Sequence, residues 1–268
     1  MEQNATRDLE LSSVTDLKVE QVPFDAPWAW LAAGWRDLWS APGISLSYGA
    51  AVAGLSAVLV FALLAGGLES LTLALAGGFL LVGPAAAVGL YEVSRRLEDG
   101  QSLQPMAVLT RGLQAPGQLG FFGAVLAFVY GVWVQLALLL FMLFFGSQPL
   151  PPASEFVASL LLTTHGLGLL VIGTMIGGLL AALVFAISVI SVPLLMTQRI
   201  DAVTAIVTSL RAVRLNPKPM ALWAGLIAGF MVLGLATVFA GLVIAFPLIG
   251  HATWHAFRDL VRTANHGR

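Results

Sequence analysis

The chain has 268 residues, of which 58% are hydrophobic and 10% are charged, whereas a typical soluble domain has about 45–50% apolar and about 25% charged residues. A water-soluble fold of this composition would expose apolar surface over most of its outside, so the composition excludes a soluble protein and predicts one embedded in a bilayer. The net charge of −1 gives no field that favours nucleic acid, and the absence of cysteine excludes disulfides, thiolate metal sites and thiol nucleophiles.

The first 27 residues are polar, with six acidic and two basic side chains. They lack the basic start and short apolar core of a signal peptide. We expect residues 1–27 to form a disordered acidic cytoplasmic tail. Residues 28–261 are then an integral membrane helical domain, and residues 262–268 a second, short cytoplasmic tail.

Five apolar stretches follow the tail, and each is long enough to cross a bilayer as a helix, which takes about 20 apolar residues. The first four predict single helices. The fifth is long enough for one overlong helix or for a hairpin of two short ones, 220–236 and 240–257. The five stretches cover residues 44–65, 71–93, 119–145, 166–196 and 220–250.

The basic residues favour the hairpin, because Lys and Arg near spanning segments remain on the cytoplasmic side. With the hairpin, all 13 basic residues of the chain fall on that side. A five-helix bundle would place Arg258, Arg262 and Arg268 outside. The predicted fold is therefore an all-α polytopic membrane bundle of six transmembrane helices with both termini in the cytoplasm, and five transmembrane helices are the alternative.

A weak threefold repeat predicts the same arrangement. Before each pair of spanning segments stands a short segment that contains arginine and ends in proline: GWRDLWSAPG, LTRGLQAPG and SLRAVRLNPKP. We expect three hairpins, each preceded by a cytoplasmic amphipathic helix that lies at the membrane interface or packs on the bundle. The apolar faces of the first and third of these helices are Trp28, Leu31, Trp35 and Leu38, and Val203, Ile206, Leu210 and Val213.

Tryptophan and arginine residues mark the expected inner boundary of the membrane, where indole rings and cations meet lipid headgroups. Six of the seven tryptophans are expected there as an anchoring belt: Trp28, Trp30, Trp35, Trp39, Trp223 and Trp254. For Arg95 and Arg96, helix-stabilising pairs with Glu92 are the favoured alternative. Interface or lipid contacts are predicted for Trp35, Arg36, Arg95, Arg96, Arg211, Arg214 and Trp254.

Two patterns of small residues predict close packing of helices, because small side chains let helix backbones approach each other in the membrane. They are Gly173 with Gly177 and Gly225 with Gly229. Packing within the chain is the default interpretation, and an interface with a partner is the alternative.

His251 and His255 in the segment HATWH share one helical face and are the candidate metal ligands. A competent zinc site needs a third or fourth ligand, and none is in view on this side of the membrane. Two histidines of one helical turn also cannot bind the two faces of a haem. Polar packing at the interface is the favoured interpretation.

No nucleotide-binding loop, nucleophile elbow or catalytic triad is present in the sequence, so we expect no enzymatic activity and no cofactor. The first functional hypothesis is a non-enzymatic scaffold or assembly factor for another membrane protein or for a homo-oligomer, surrounded by membrane lipids. The alternative is a transporter or lipid-handling protein with an uncharged path. Its mark would be an apolar cavity that reaches Gln135, Thr174, Ser188 or Ser191.

The segments GPAAAVGLYEVSRRLEDG, FAISVISVPLL and PLIGHATWHAFRDLV resemble a bacterial family of predicted integral membrane proteins that is designated a domain of unknown function (the 2189 type). The resemblance covers residues 28–261, and HATWH is its most specific part. It implies the membrane fold and a location in the bacterial inner membrane. It implies no activity.

Overall fold

The structure, a computed structural model of the chain, describes residues 17–66, 83–104, 117–146 and 153–263. Within these ranges it contains one antiparallel sheet of two strands, β1 (Leu17–Val19) and β2 (Val261–Thr263). A short helical segment at 83–86 precedes the third helix. The helices are α1 (Ala26–Ser40), α2 (Pro42–Ala65), α3 (Val88–Glu98), α4 (Gln118–Phe145), α5 (Ala153–Leu162), α6 (Thr164–Ser188), α7 (Ser191–Thr197), α8 (Ala202–Leu215), α9 (Pro217–Ala236) and α10 (Leu242–Leu260).

Four helical segments of the described residues are long and apolar enough to cross a membrane. They are α2, α4, α6 together with α7, and α9, and they confirm a helical membrane protein with several apolar helices. The stretch 71–93 lies largely outside the described residues, which resume at 83. α10 carries more polar residues and is not among the four, so the count of six stays a prediction.

The apolar stretch 220–250 forms two helices, which makes the single overlong helix wrong. α9 ends at Ala236, α10 begins at Leu242, and the turn between them holds Val238 and Phe239 at φ angles of 53° and 68°. A right-handed helix cannot continue through positive φ angles. The Thr237 hydroxyl accepts a hydrogen bond from the backbone N–H of Gly241 at 2.7 Å and closes the turn.

The helix in the stretch 166–196 is interrupted, although the stretch is uncharged throughout and was predicted to form a single helix. α6 ends at Ser188 and α7 begins at Ser191. Pro193 lacks an N–H, and its ring opposes the carbonyl of the residue four positions earlier, so the helix is interrupted there. Ser209 of α8 replaces hydrogen bonds that the helix loses at this interruption. Its hydroxyl donates to the Ala186 carbonyl at 2.7 Å and accepts from the Ile190 N–H at 3.3 Å.

Local sequence explains where several helices begin. Proline lies in the first turn of α1, α2 and α9, where a missing N–H costs no helical hydrogen bond. The Asp201 side chain accepts from the Thr204 N–H at 2.9 Å and caps α8. Thr163 accepts from the Gly166 N–H at 3.0 Å and caps α6 in the same way.

The core lies around α10, of whose 19 residues 14 are buried. α10 packs against α1, α2, α3 and α9. In contrast, α2 and α4 expose apolar side chains such as Leu55, Phe61, Phe128 and Leu143. Exposed apolar helices of this kind are what a lipid environment accommodates, because lipid chains are as apolar as the side chains themselves.

Part of the segment that we expected to be a disordered tail is ordered, because residues 17–27 contain β1 and the beginning of α1. β1 pairs with β2 in antiparallel register, with Lys18 opposite Arg262. Asn216 then holds the segment after β1: its amide nitrogen donates to the Glu20 carbonyl at 3.0 Å, and its oxygen accepts from the Val22 N–H at 2.9 Å. The cause is long-range pairing, which local composition does not reveal.

The expected apolar faces of the amphipathic helices are only partly correct. α1 buries Trp30, Leu31 and Leu38, but it exposes Trp28 and Trp35. α8 buries its small residues, and Val203 is exposed. Close packing explains the difference, because the faces that meet the bundle carry glycine, alanine and serine.

The tryptophan belt is likewise divided. Trp30, Trp223 and Trp254 are buried in the core, whereas Trp28, Trp35 and Trp39 are exposed. Trp30 and Trp223 meet edge to face at 5.7 Å. Aromatic burial of this kind contributes more to packing than to anchoring.

Candidate functional site

A cavity of about 330 Å³ lies between α3, α6, α9 and α10. None of its described lining residues carries a charge. The parts of α6 and α9 that line it belong to candidate membrane spans, so the cavity lies at membrane depth. Its volume falls at the lower end of the range of small-molecule pockets, about 300–1,000 Å³.

Small residues on two helices create this space. Gly178, Ala181 and Ala182 of α6 and Ala224 and Ala228 of α9 line it with small side chains, and Gly250 lets α10 approach Leu90 of α3 closely beside it. Larger residues close the remaining wall, among them Phe185, Met231 and Tyr91, which also carries a hydroxyl group. The cavity is partly open to its surroundings, since Gly178, Ala182 and Ala228 of its lining are exposed, and mostly apolar walls of this kind are typical of sites for apolar molecules.

Ser188 is the polar feature of the cavity that has no hydrogen-bonding partner. Its side chain is 2% exposed, and within the described structure its hydroxyl makes no hydrogen bond. Of the four polar residues that the sequence analysis named as marks of an uncharged path, the cavity reaches Ser188. The other three do not line it: Gln135 and Thr174 are exposed, and the Ser191 hydroxyl donates to the Ile187 carbonyl, one helical turn earlier.

A second polar feature is a buried chain of hydrogen bonds around His251. Its Nε2 lies 2.9 Å from the Ser45 hydroxyl, and its Nδ1 lies 2.8 Å from the Ser94 hydroxyl. Ser94 is also hydrogen-bonded to the Asp37 carboxylate, which in turn lies 2.8 Å from Nε2 of His255. These five residues, which we call the His251 network, join α1, α2, α3 and α10.

The two serines satisfy the His251 ring in either neutral tautomer. A hydroxyl group can donate to a bare ring nitrogen or accept from a ring N–H, and Ser45 and Ser94 each lie within hydrogen-bonding distance of one nitrogen. Every polar atom of the ring is thereby satisfied within the protein.

Asp37 is a titrating group of this network outside the membrane spans. Burial raises the pKa of its carboxyl group, but hydrogen bonds from His255 and Ser94 and the two nearby imidazole rings outweigh burial and lower the pKa below its ordinary value of 3.8. The carboxylate is therefore held in its charged, accepting form.

The geometry does not assemble the metal site that HATWH suggested. Both ring nitrogens of His251 are engaged by serine hydroxyls, and His255 faces Asp37. Within the described ranges, no three residues of the metal-ligating types lie close enough together to share an ion. The residues that are present fit a structural network better than a zinc or haem site.

Arg95 and Arg96 are engaged in ion pairs at the end of α3. The buried Glu92 carboxylate accepts from Arg95 Nη2 at 2.9 Å and from Arg96 Nε at 2.7 Å. Glu98 extends the cluster to α10, where it accepts from Arg258 Nε and from the Trp254 indole, each at 3.0 Å. This geometry favours the packing interpretation of both arginines, and lipid contact there stays a prediction.

The other predicted interface residues are accessible, with one exception. Trp35, Arg36, Arg211 and Arg214 are exposed, on α1 and α8. Trp254 is buried instead. Trp35 stacks edge to face on Trp39 at 5.7 Å, so the exposed face of α1 is aromatic.

Of the four predicted packing glycines, Gly177 makes a close helix contact. A methyl group added there would lie 2.8 Å from the Trp133 ring. At Gly173, Gly225 and Gly229 an added methyl group would meet no other part of the described chain within 4 Å. Two glycines that were not predicted, Gly34 and Gly49, make close contacts between helices, with the backbone of Ala252 and of Val243.

The sequence analysis also missed the serines and the aspartate of the His251 network. A signal exists for part of it, because α2 buries Ser45, Gly49, Ala53 and Ser56, which recur every three or four residues on one face. Such a face predicts close helix contact. Its partner on α10 cannot be read from the pattern.

Comparison with curated proteins and comparison with solved structures each found no match. A family model does match, over residues 71–197. This range is shorter than the 28–261 of the expected resemblance and leaves out HATWH, but it includes the cavity wall from Gly83 to Val189. Over residues 71–197 the chain matches the family described as predicted integral membrane protein (DUF2189), and the expected resemblance is confirmed there.

Proposed function

We propose that this protein handles lipid or another apolar molecule inside the membrane by binding it in the cavity between α3, α6, α9 and α10. The observation that carries the proposal is the uncharged cavity of about 330 Å³ at the depth of the candidate spans. Apolar walls with few polar groups are typical of sites for apolar ligands. The proposal assigns no chemical reaction to the site.

Photolabelling tests this function. The full-length protein in lipid vesicles is irradiated with an alkyl diazirine, an uncharged apolar probe, and the labelled peptides are mapped. We expect labelling of Met231, Phe246 and other lining residues that are buried from the bilayer. Gly178→Leu should reduce it, because Gly178 lines the cavity and an added Cβ there meets no described atom within 4 Å, which leaves room for a leucine side chain to obstruct the cavity.

Gly173→Leu is the matched control on the same helix. Its Cβ also meets open space, but the residue does not line the cavity, so labelling of the cavity should persist. Equal labelling of cavity residues in wild type and Gly178→Leu would contradict the proposed function.

The first hypothesis of the sequence analysis, a scaffold or assembly factor for a membrane protein or a homo-oligomer, is the second candidate. Gly225 and Gly229 favour it, because they are exposed on α9 and no described residue packs on them. Cross-linking in the membrane should recover a stoichiometric partner with wild type and lose it with Gly229→Leu. Recovery of the uncross-linked chain alone would count against this candidate.

The distribution of basic residues supports a proposal for the location and orientation of the chain. We infer an inner, cytoplasmic membrane of a bacterium with both chain ends on the cytoplasmic side, because all 13 Lys and Arg residues then lie on that side. Exposed Arg36, Arg211 and Arg214 would face anionic headgroups there.

A further inference from the structure

The Ser188 hydroxyl differs from those of other buried serines and threonines in the helices. A hydroxyl in a helix commonly donates to the carbonyl four residues earlier. Ser191, Thr208 and Thr253 do so, with acceptors at Ile187, Thr204 and Ile249. Within the described structure, the Ser188 hydroxyl has neither this nor any other partner.

The environment of Ser188 makes an unpaired hydroxyl group costly in free energy when no ligand is bound. The residue is 2% exposed and lines a mostly apolar cavity. A buried hydroxyl that leaves water without gaining a hydrogen bond loses stability, so native proteins rarely keep one. The hydroxyl oxygen is itself buried, so the side chain must turn toward the cavity for a group there to accept its hydrogen bond and remove this cost.

We propose that the ligand of the cavity is an apolar molecule with a single ester or ketone carbonyl, to which the Ser188 hydroxyl donates a hydrogen bond. This inference rests on the proposed function, because it names the class of molecule that the same cavity takes. The ligand needs an acceptor because the hydroxyl hydrogen is unpaired. One carbonyl suffices for this hydroxyl, because Thr253 donates to the Ile249 carbonyl and, apart from the Tyr91 hydroxyl, the remaining described walls are apolar.

Competition against the alkyl diazirine tests the carbonyl. Octyl acetate and an unbranched alkane of matched length are added separately to the full-length protein, and the concentration of each that halves cavity labelling is measured. For each variant we take the ratio of the alkane concentration to the octyl acetate concentration that halves labelling. We expect this ratio to be about two- to tenfold larger in wild type than in Ser188→Ala, which is the effect of one hydrogen bond. Each competitor is compared with itself across variants, so its partition into lipid cancels.

Ser191→Ala is the control, because this buried hydroxyl is satisfied by the Ile187 carbonyl and does not line the cavity. The advantage of octyl acetate should persist in it. The same competition is measured in detergent and in lipid nanodiscs to distinguish a bilayer lipid from another ester or ketone as the ligand. If a bilayer lipid occupies the cavity, octyl acetate should compete more weakly in nanodiscs than in detergent.

The outcomes separate the two proposals. If cavity residues are labelled but Ser188→Ala leaves the ratio between octyl acetate and the alkane unchanged, the carbonyl inference is wrong and the proposed function stands. If the alkyl diazirine does not label the cavity of wild type, the proposed function itself fails.

Discussion

His251 lies at the centre of a polar chain that links four helices through two serines and the Asp37–His255 pair. The residues come from distant parts of the sequence: Ser45 and His251 are 206 positions apart. Because each buried polar atom of the ring is satisfied, the network specifies one arrangement of α1, α2, α3 and α10. Loss of one member leaves the others unpaired in a buried site.

Asp37 makes the stability of the fold depend on acid. Its pKa is lower in the folded protein than its ordinary value of 3.8, so its contribution to stability is present above that value and is lost as the pH falls through the lowered pKa. We therefore expect the unfolding temperature of wild type in detergent to decrease as the pH is lowered below 3.8. Asp37→Asn should be less stable at neutral pH and should lose part of this acid dependence.

Asp25→Asn provides the comparison for Asp37→Asn. Asp25 is exposed, and its side chain makes no hydrogen bond that caps α1. The acid dependence of this variant should match that of wild type. An Asp37→Asn profile that runs parallel to wild type at every pH would refute the assigned role of the carboxylate.

The contrast between predicted and observed sites has a physical cause. The lengths of α2, α4 and α6 follow from long uncharged stretches, because each property is local. The neighbours of Ser94 or Ser188 depend on which helices meet and in which rotation, and no local pattern determines that. HATWH was correctly singled out as unusual, but its role in packing depends on Ser45 and Ser94.

At the scale of elements, two glycines determine how closely α1 and α2 approach α10. At Gly34 an added methyl group would lie 2.9 Å from Cβ of Ala252. At Gly49 it would lie 2.9 Å from Cα of Val243 and closer still to that residue's carbonyl oxygen. Backbone atoms cannot rotate away, so the helices themselves would have to separate.

Gly49→Ala should therefore destabilise the protein by about 1–3 kcal/mol, the cost of overpacking a close contact. Gly54→Ala in the same helix is the matched control, because its added methyl group meets no described atom within 4 Å. Removing a mid-helix glycine should leave stability unchanged or raise it by about 0.5–1 kcal/mol. Unfolding temperatures in detergent distinguish the two, and equal values would show that α2 and α10 are not in close contact at Gly49.

The exposed face of α1 is a candidate membrane anchor. Trp28, Trp35 and Trp39 share this face, and α1 is joined to the candidate span α2 by the single residue Ala41. A helix so close to a spanning segment lies near the headgroup region, where indole rings are favoured. The predicted lipid contact of Trp35 is compatible with its exposure and stays a prediction, whereas Trp254, for which the same role was predicted, is buried.

Fluorescence quenching tests the anchor. Lipids brominated near the headgroup should quench wild-type tryptophan emission, and replacement of Trp28, Trp35 and Trp39 by phenylalanine should remove most of that quenching. Trp223→Phe is the control: this indole is fully buried, and its N–H has no acceptor among the described residues. Persistent quenching in the triple variant would place this face away from the lipid.

At the scale of the whole molecule, the β1–β2 sheet constrains the topology. Strands that exchange backbone hydrogen bonds lie on the same side of a membrane, because a lipid-exposed open sheet cannot exist within the hydrocarbon. Val19 and Val261 pair directly, so we infer an even number of crossings between them. This argues against the five-helix alternative and leaves six crossings, or four if the α9–α10 hairpin enters and leaves on one side.

Val238 distinguishes six crossings from four. It lies in the α9–α10 turn with 82% of its side chain exposed, and the chain has no native cysteine, so Val238→Cys introduces a single thiol. If α9 and α10 both cross, a membrane-impermeant maleimide should label this thiol from outside intact cells, whereas Lys18→Cys in β1 should react only after the membrane is opened. Protection of Val238→Cys from outside, with labelling after opening, would mean that the hairpin returns to its own side, and the bundle would then have four crossings.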